Sequence, residues 1–316
     1  MKTSKVRSAG VYHAVVVILA GLLLSIPANA AWKPLAPLPV PTGNAAAESI
    51  NGIIYIAGGE TNSGIPTSAL QAFNPETNTW TALASMPLTL YQGDGAGVIN
   101  SQLYMAGGWN AGLPTTTLLM YDPPSNTWTS LAAMSHLSGC GGTGVINSKL
   151  YVTTACNGFS GWTNFLDMYD PVANTWTILT GSASAHGNPA FGVINGKLYV
   201  AGGVGTNGTL TTVLEVYNPA ANAWTTLAPM KTAVYVAASV ALNGQLYVFG
   251  GNNESNEGVT TVQAYDSYKN KWRTLSPLPT ALGGSSGVVV YGLAFMEGDD
   301  ASGTTNQYLA IAPSIP

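Results

Sequence analysis

Tryptophan recurs at an interval of 48 residues along almost the whole chain. The six members of the series are Trp32, Trp80, Trp128, Trp176, Trp224 and Trp272. An aromatic residue lies seven positions before each of the last five, and an asparagine lies two positions before, as in YDPPSNTW around Trp128. A period of this size predicts one repeated supersecondary unit rather than several unrelated domains.

A second set of landmarks divides each unit into short strands. NGIIY, NSQLY, NSKLY, NGKLY and NGQLY recur in step with the tryptophans, and four of the five run into a Gly-Gly pair. Asn-Gly and Asn-Ser pairs supply the positive φ that two-residue hairpin turns need. The aromatic-Asp/Asn-Pro steps end a third strand because proline donates no ladder hydrogen bond. Each unit therefore predicts four short antiparallel strands.

Repeated four-stranded sheets bury their faces by stacking on one another, and radial stacking produces a propeller. The Gly-Gly, tyrosine and tryptophan landmarks resemble the kelch repeat of bacterial, exported β-propellers. We expect an all-β, six-bladed β-propeller of four-stranded kelch-like blades. The sixth unit, YGLAFMEGD, has Phe295 in place of tyrosine and no tryptophan after it. Trp32 has no first three strands ahead of it, so the N-terminal strand is expected to close the last blade and cover its edge.

The first thirty residues have the pattern of a secretory signal peptide. A basic start precedes an apolar run from Val11 to Ile26, and Pro27 to Ala30 ends in small residues. We predict cleavage after Ala30, a single domain over 31–316 and a periplasmic or extracellular location. The alternative is a retained membrane anchor, but the apolar run is short for a membrane span. No transmembrane segment is expected after cleavage.

The charge distribution argues against nucleic acid as a partner. The chain has 10 basic and 14 acidic residues, and three of the basic ones lie in the predicted leader. Arg273 is the only arginine that follows the leader, so no cluster is available to neutralise a row of phosphates. We expect an acidic monomer.

The two cysteines, Cys140 and Cys156, are predicted to form a disulfide within the third unit. They lie at nearly opposed positions across the hairpin turn at Asn147 and Ser148. Such a bridge is favoured in an oxidising compartment. A free thiol or a metal site is the alternative, but the sequence has no His-Cys cluster at ligand spacing to support one, and neither a metal nor a cofactor is expected.

Candidate ligand-binding residues lie in two sets of loops expected to share one face. Some follow the glycine position of each unit, and others connect successive units. They are Glu60, Tyr91, Trp109, His136, Trp162, His186, Tyr235, Asn252 and Asp300. Aromatic rings and amides suit a carbohydrate or a peptide, because rings stack on apolar surfaces and amides bind hydroxyl or backbone groups. The alternative is that the tryptophans pack within their own loops and the histidines are solvated.

The sequence favours a non-catalytic binding module over an enzyme and leaves the catalytic question open. Periplasmic sialic acid mutarotases resemble the chain in fold and compartment, but they use arginine to hold an anionic sugar. Galactose-oxidase-like propellers resemble it in having tyrosines and histidines, but their adjacent Tyr-His pair and seventh blade are missing. Plant specifier proteins with an iron site resemble only the fragment from Glu297 to Asp300, and no histidine follows it at ligand spacing.

Overall fold

The protein is described by a computed structural model that covers residues 33–61, 63–91, 95–156, 158, 161–300 and 309–311. For residues 33, 34, 299, 300 and 309–311 only the backbone is described. Every regular element of these residues is a β-strand. Five antiparallel sheets each come from one unit of the repeat and contain four strands in chain order, and we call these sheets blades 1 to 5.

The strands are numbered in chain order. Blade 1 contains β2 (Ala46–Ile50), β3 (Ile53–Ala57), β4 (Leu70–Asn74) and β5 (Thr79–Ala82). Blade 2 contains β6 (Ala96–Ile99), β7 (Gln102–Ala106), β10 (Leu118–Asp122) and β11 (Thr127–Ser130), with a small hairpin of β8 (Trp109–Asn110) and β9 (Leu113–Pro114) in its loop. Blade 3 contains β12 (Gly142–Ile146), β13 (Lys149–Cys156), β14 (Trp162–Asp170) and β15 (Thr175–Leu179).

Blades 4 and 5 repeat the same plan. Blade 4 contains β16 (Ala190–Ile194), β17 (Lys197–Ala201), β18 (Leu214–Asn218) and β19 (Ala223–Leu227). Blade 5 contains β20 (Ala238–Leu242), β21 (Gln245–Phe249), β22 (Val262–Asp266) and β23 (Lys271–Thr274). The first strand of each blade lines a central channel.

The prediction of six kelch-like blades is corrected to five. The remaining sheet, which we call the closing sheet, is assembled from both ends of the chain in the order β1 (Lys33–Pro34), β26 (Leu309–Ile311), β25 (Leu293–Asp300) and β24 (Leu282–Val290). The strands nearest the channel, β24 and β25, are long, whereas β26 and β1 are very short. The register between β24 and β25 shifts between Gly283 and Ser286. The sixth unit lacks the tryptophan and the second glycine of the repeat, so it does not form a four-stranded blade of its own.

The tryptophan and asparagine landmarks join neighbouring blades. Trp128 donates its indole N–H to the carbonyl of Ala84, 2.8 Å away, just after blade 1 ends. Asn126 accepts the N–H of the same Ala84 at 2.9 Å and also accepts the hydroxyl hydrogen of Tyr121 at 2.7 Å. Equivalent bonds are made by Trp176, Trp224 and Trp272. The 48-residue period is therefore a period of bonds between blades. Trp32 lies outside the described residues.

The hydrophobic core is divided into layers between blades. The tyrosine of the second strand of one blade packs against the tyrosine of the third strand of the next. Tyr55 and Tyr121 have ring centroids 6.1 Å apart, and Tyr199 and Tyr265 are 6.0 Å apart. Because both faces of each blade are buried, the inner strands have nearly continuous apolar sequences, such as Ile53–Ala57.

The predicted disulfide between Cys140 and Cys156 is confirmed, with a Cα–Cα distance of 5.7 Å. It joins the chain that enters blade 3 to the end of β13, where the other blades have their glycine pair. Within the described residues no helix has the length and apolar character to span a bilayer. The predicted leader, 1–30, lies outside the described residues.

Candidate functional site: the loop face and the central channel

The antiparallel strands place two kinds of connection on opposite faces of the disc. The turns from first to second and from third to fourth strand lie on one face, which we call the turn face. The connections from second to third strand, and those between blades, lie on the other, which we call the loop face. All the predicted ligand-binding residues belong to loop-face connections or to the strand ends beside them.

Backbone bridges on the loop face pair the two sets of predicted residues. Tyr91 pairs with Trp109, and Tyr235 pairs with Asn252. Glu60 pairs in the same way with Gly43. In each case the residue that follows the glycine position is held against the connection that enters its own blade. The loop face therefore has a repeated backbone framework that presents different side chains in each blade.

Trp109 and Trp162 pack against the loop of the following blade. A side chain at Gly139 would collide with the indole of Trp109, and one at Gly187 would collide with the ring of Trp162. Both tryptophans stay partly exposed. The indole N–H of Trp109 is buried and has no hydrogen-bond partner among the described residues. Both rings therefore bridge two blades and still offer surface to the solvent.

Tyr91 and Glu60 lie close enough to interact electrostatically. Burial, and then the negative charge of Glu60, raise the pKa of the Tyr91 hydroxyl. Glu60 accepts a 2.8 Å hydrogen bond from the side-chain amide of Asn44, a residue that lines the channel. This acid thus links the loop face to the mouth of the channel.

Tyr235, Asn252 and Asn256 form a polar cluster in blade 5. The Tyr235 hydroxyl donates to the Asn256 side-chain oxygen, and the Asn252 amide donates to the same oxygen at 3.2 Å. Tyr235 is partly exposed, like Tyr91. This cluster offers both a ring and amides to a ligand. The side chain of Asp300 lies outside the described residues.

The two histidines hold loops through buried carboxylates. The His186 Nε2 atom lies 3.1 Å from the Glu215 carboxylate, and its Nδ1 atom lies 2.9 Å from the Gly202 carbonyl oxygen. His186 is only 3% exposed. His136 contacts the buried Asp167 at 2.9 Å, and its ring stacks on Phe165. The alternative of solvated histidines is wrong for His186.

Both carboxylates occupy a position that recurs every 48 residues on the third strand. We call these residues the anchor residues, and they are Gln71, Leu119, Asp167, Glu215 and Gln263. The polar ones bind the backbone of the connection that enters their blade, about 31 residues earlier. The anchor position explains what the histidines do structurally, and sequence reasoning missed it although its 48-residue spacing is visible.

The central channel is a cavity of about 360 Å³ lined mainly by alanine, glycine, serine and valine. Glu48, in the middle of β2, is a half-buried residue in this lining. Burial raises its pKa to about 7, and the Ser49 N–H only partly offsets that effect. Sequence reasoning also missed Glu48, although an acid within the small-residue run of a first strand was a usable signal.

Within the described residues, no group of three or more His, Cys, Asp or Glu side chains is placed to hold a metal ion. Arg273 donates to Gln245 at 2.9 Å near the turn face, far along the strands from the loop-face residues.

Comparison with known proteins identifies the type of propeller. The family model described as Attractin/LZTR1 beta-propeller matches residues 54–292. A solved structure titled "Structure of YjhT" is similar with a TM-score of 0.74 and 19% sequence identity, covering 88% of this chain and 96% of that chain. This identity shows a shared fold alone. No curated protein matches the chain.

Proposed function

Since the chain belongs to the Attractin/LZTR1 beta-propeller family, we propose that it is a non-catalytic binding module. Its ligand is a carbohydrate or a protein segment, and the loop face is the binding surface. The observation that carries this proposal is the set of four partly exposed aromatic residues on that face, namely Tyr91, Trp109, Trp162 and Tyr235. Rigid rings give large contact area at low entropic cost, which is why they dominate binding hot spots.

The electrostatics of the loop face agree with binding rather than turnover. His186 is buried in its contact with Glu215, and His136 is engaged with Asp167. A general base must reach the proton that it removes from a substrate. Of the predicted acids with described side chains, Glu60 is engaged by Asn44. Because these ionisable side chains already have partners within the protein, the aromatic rings and amides are the groups that we expect to contact a ligand.

We also propose that the protein is exported and acts as a monomer in the periplasm or outside the cell. The Cys140–Cys156 disulfide supports an oxidising compartment. Mass spectrometry of the protein recovered from that compartment should find Ala31 as the first residue and no free thiol. An intact Met1 or two titratable thiols would contradict export with cleavage.

Glycan and peptide arrays, probed with the purified protein, test the binding proposal. The Trp109→Ala variant should lose affinity for the recognised compound by at least about tenfold, as expected for a hot-spot aromatic. Tyr235→Ala should weaken the same interaction. This second variant shows whether the loss of binding could come from a folding defect in Trp109→Ala alone. Tyr268→Ala is the matched control, because Tyr268 is 78% exposed on the turn face.

Two outcomes would contradict the proposal. In one, Tyr268→Ala weakens binding as much as Trp109→Ala does, which would move the surface to the turn face. In the other, the recognised compound is converted to a product by the wild-type protein and not by a Glu60→Gln or His186→Ala variant. That result would make the protein an enzyme.

A further inference from the structure

Glu48 interrupts a pattern of small and apolar residues around the channel. Strand register places it opposite Tyr55, and the same place in the other sheets is taken by Gly97, Gly144, Gly192, Val240 and Val288. None of those counterparts has a polar side chain. The charge therefore belongs to blade 1 alone and not to the repeat, so the propeller fold does not require it.

The Glu48 carboxylate has little compensation from the described part of the chain. Within that part it accepts one hydrogen bond, from the Ser49 N–H at 3.3 Å. Among the described residues that line the channel, no other side chain is ionisable. A carboxylate in such a place is stabilised by a cation that enters the channel, since a nearby opposite charge favours the ionised form.

The four serine hydroxyl groups of the lining are already used as donors within the protein. Ser49, Ser239 and Ser285 donate to the backbone carbonyls of Val289, Phe191 and Gly283. Ser286 donates to the Glu297 carboxylate at 2.7 Å. What these oxygens still offer is acceptor capacity. The serine oxygens of the channel therefore suit a ligand that donates hydrogen bonds.

Phe191 provides an aromatic wall in the same channel. A Cβ atom at Gly142 of blade 3 would lie 2.8 Å from its ring, and one at Gly95 of blade 2 would lie 2.9 Å from the tip of its ring. The side chain thus extends from blade 4 across the inner edges of blades 3 and 2, and blade 2 packs against blade 1, which carries Glu48. An aromatic face attracts cations through the charge distribution of the ring.

We propose that the central channel is a binding site for a small organic cation, a primary ammonium with a short apolar body, held by Glu48 and Phe191. The ammonium supplies three donors and no acceptor, which matches the lining. A divalent metal is a poor fit because calcium takes six to eight oxygen ligands and Glu48 is a single carboxylate. A cavity of about 360 Å³ is within the usual size of small-molecule sites. This site is separate from the loop-face aromatic residues.

The protonation of Glu48 gives the site a pH signature. With its pKa at about 7, the carboxylate is mostly neutral at pH 6 and mostly ionised at pH 8. The ammonium group stays charged throughout this range. Affinity should therefore rise about tenfold from pH 6 to pH 8, following the ionised fraction of one carboxylate.

Ligand-observed NMR with n-butylammonium at fixed ionic strength tests the proposal. We expect saturable binding at pH 8, no comparable binding of 1-butanol, and the pH dependence given above. Glu48→Gln should weaken binding at least about tenfold, as loss of a hydrogen bond to a charged group does. Phe191→Leu should weaken it about two- to fivefold.

Matched variants keep the test decisive. Glu76→Gln removes the same charge from an exposed position on the turn face, so it should leave butylammonium binding unchanged. If Glu48→Gln does not fold, Glu48→Gly replaces it, because glycine stands at this position in three blades. Binding that survives in a folded Glu48 variant, or equal binding of 1-butanol, would overturn the proposal. Trp109→Ala should not affect this site, so failure here is distinguishable from failure of the loop-face proposal.

Discussion

Blades 4 and 5 hold equivalent loops with different chemistry. In blade 5 the anchor residue Gln263 accepts the N–H groups of Lys231 and Thr232, each at 2.9 Å, and donates its own amide to the Thr232 carbonyl at 3.0 Å. In blade 4 the anchor residue Glu215 accepts the N–H groups of Ala183 and Ser184, each at 3.1 Å. It has no hydrogen to donate when ionised.

The difference explains why a histidine accompanies the carboxylate. An amide both donates and accepts, so Gln263 satisfies the loop alone. A buried carboxylate only accepts and carries a charge, and it needs a further donor nearby. His186 provides that donor in blade 4, and His136 does so for Asp167 in blade 3. Histidines that look like candidate catalytic groups in a sequence are in this fold partners of buried acids.

The largest effect should come from breaking the pair in blade 4. We expect Glu215→Ala to lower the free energy of unfolding by about 3–5 kcal/mol, because it leaves His186 and two backbone N–H groups buried without their partner. Gln263→Ala should cost about 1–3 kcal/mol, since the lost hydrogen bonds are between neutral groups. Urea unfolding at pH 7 measures both values. Equal losses of unfolding free energy in the two variants would mean that the His186–Glu215 pair contributes no more to stability than the Gln263 amide does.

Placing a carboxylate in blade 5 without a histidine should have a smaller effect. Gln263→Glu keeps the two bonds from the Lys231 and Thr232 N–H groups but loses the donor to the Thr232 carbonyl. We expect the free energy of unfolding to fall by about 2 kcal/mol at pH 7, because the Thr232 carbonyl is left as a buried acceptor without a donor. The same urea assay checks this, with Glu254→Gln as an exposed control. A variant as stable as the wild type would refute the need for a partner.

The two natural carboxylates should respond to pH in opposite directions. Burial raises the pKa of Glu215, but the hydrogen bonds from His186, Ser184 and Ala183 outweigh it and leave the pKa below its usual value. For Asp167 burial outweighs the bonds from His136, so the pKa is raised. The stability that ionised Glu215 provides is present above its unfolded pKa and is lost as pH falls through the folded one. For Asp167 ionisation costs stability, and that cost disappears on acidification.

Glu215→Gln and Asp167→Asn test these signs. Between pH 6 and pH 3 the destabilisation caused by Glu215→Gln should shrink, and that caused by Asp167→Asn should grow. Thermal melts at several pH values give the comparison. Parallel trends for the two variants would contradict the opposite shifts.

Much of the framework was predictable because it depends on local spacing. The predictions of an all-β, kelch-like propeller and of the disulfide are confirmed. Asn126 and Trp128, two residues apart, both bind Ala84 of the preceding segment. The sequence displays the period of these residues, and the structure shows that they bind the preceding blade. The expected six blades were corrected to five, since the last unit loses its landmarks and its sheet depends on how the chain ends meet.

The sequence by itself determined the order of strands in the five blades, the hairpin turns, the 48-residue spacing of the landmarks and the Cys140–Cys156 bridge. Only the tertiary structure decided that His186 is buried against Glu215, that Trp109 packs on Gly139 and that Glu48 shares a channel with Phe191. Spacing along the chain specifies contacts that every unit makes. A contact that occurs in one place only depends on which residues the closed ring brings together. Such a contact is set by packing between segments that are far apart in sequence.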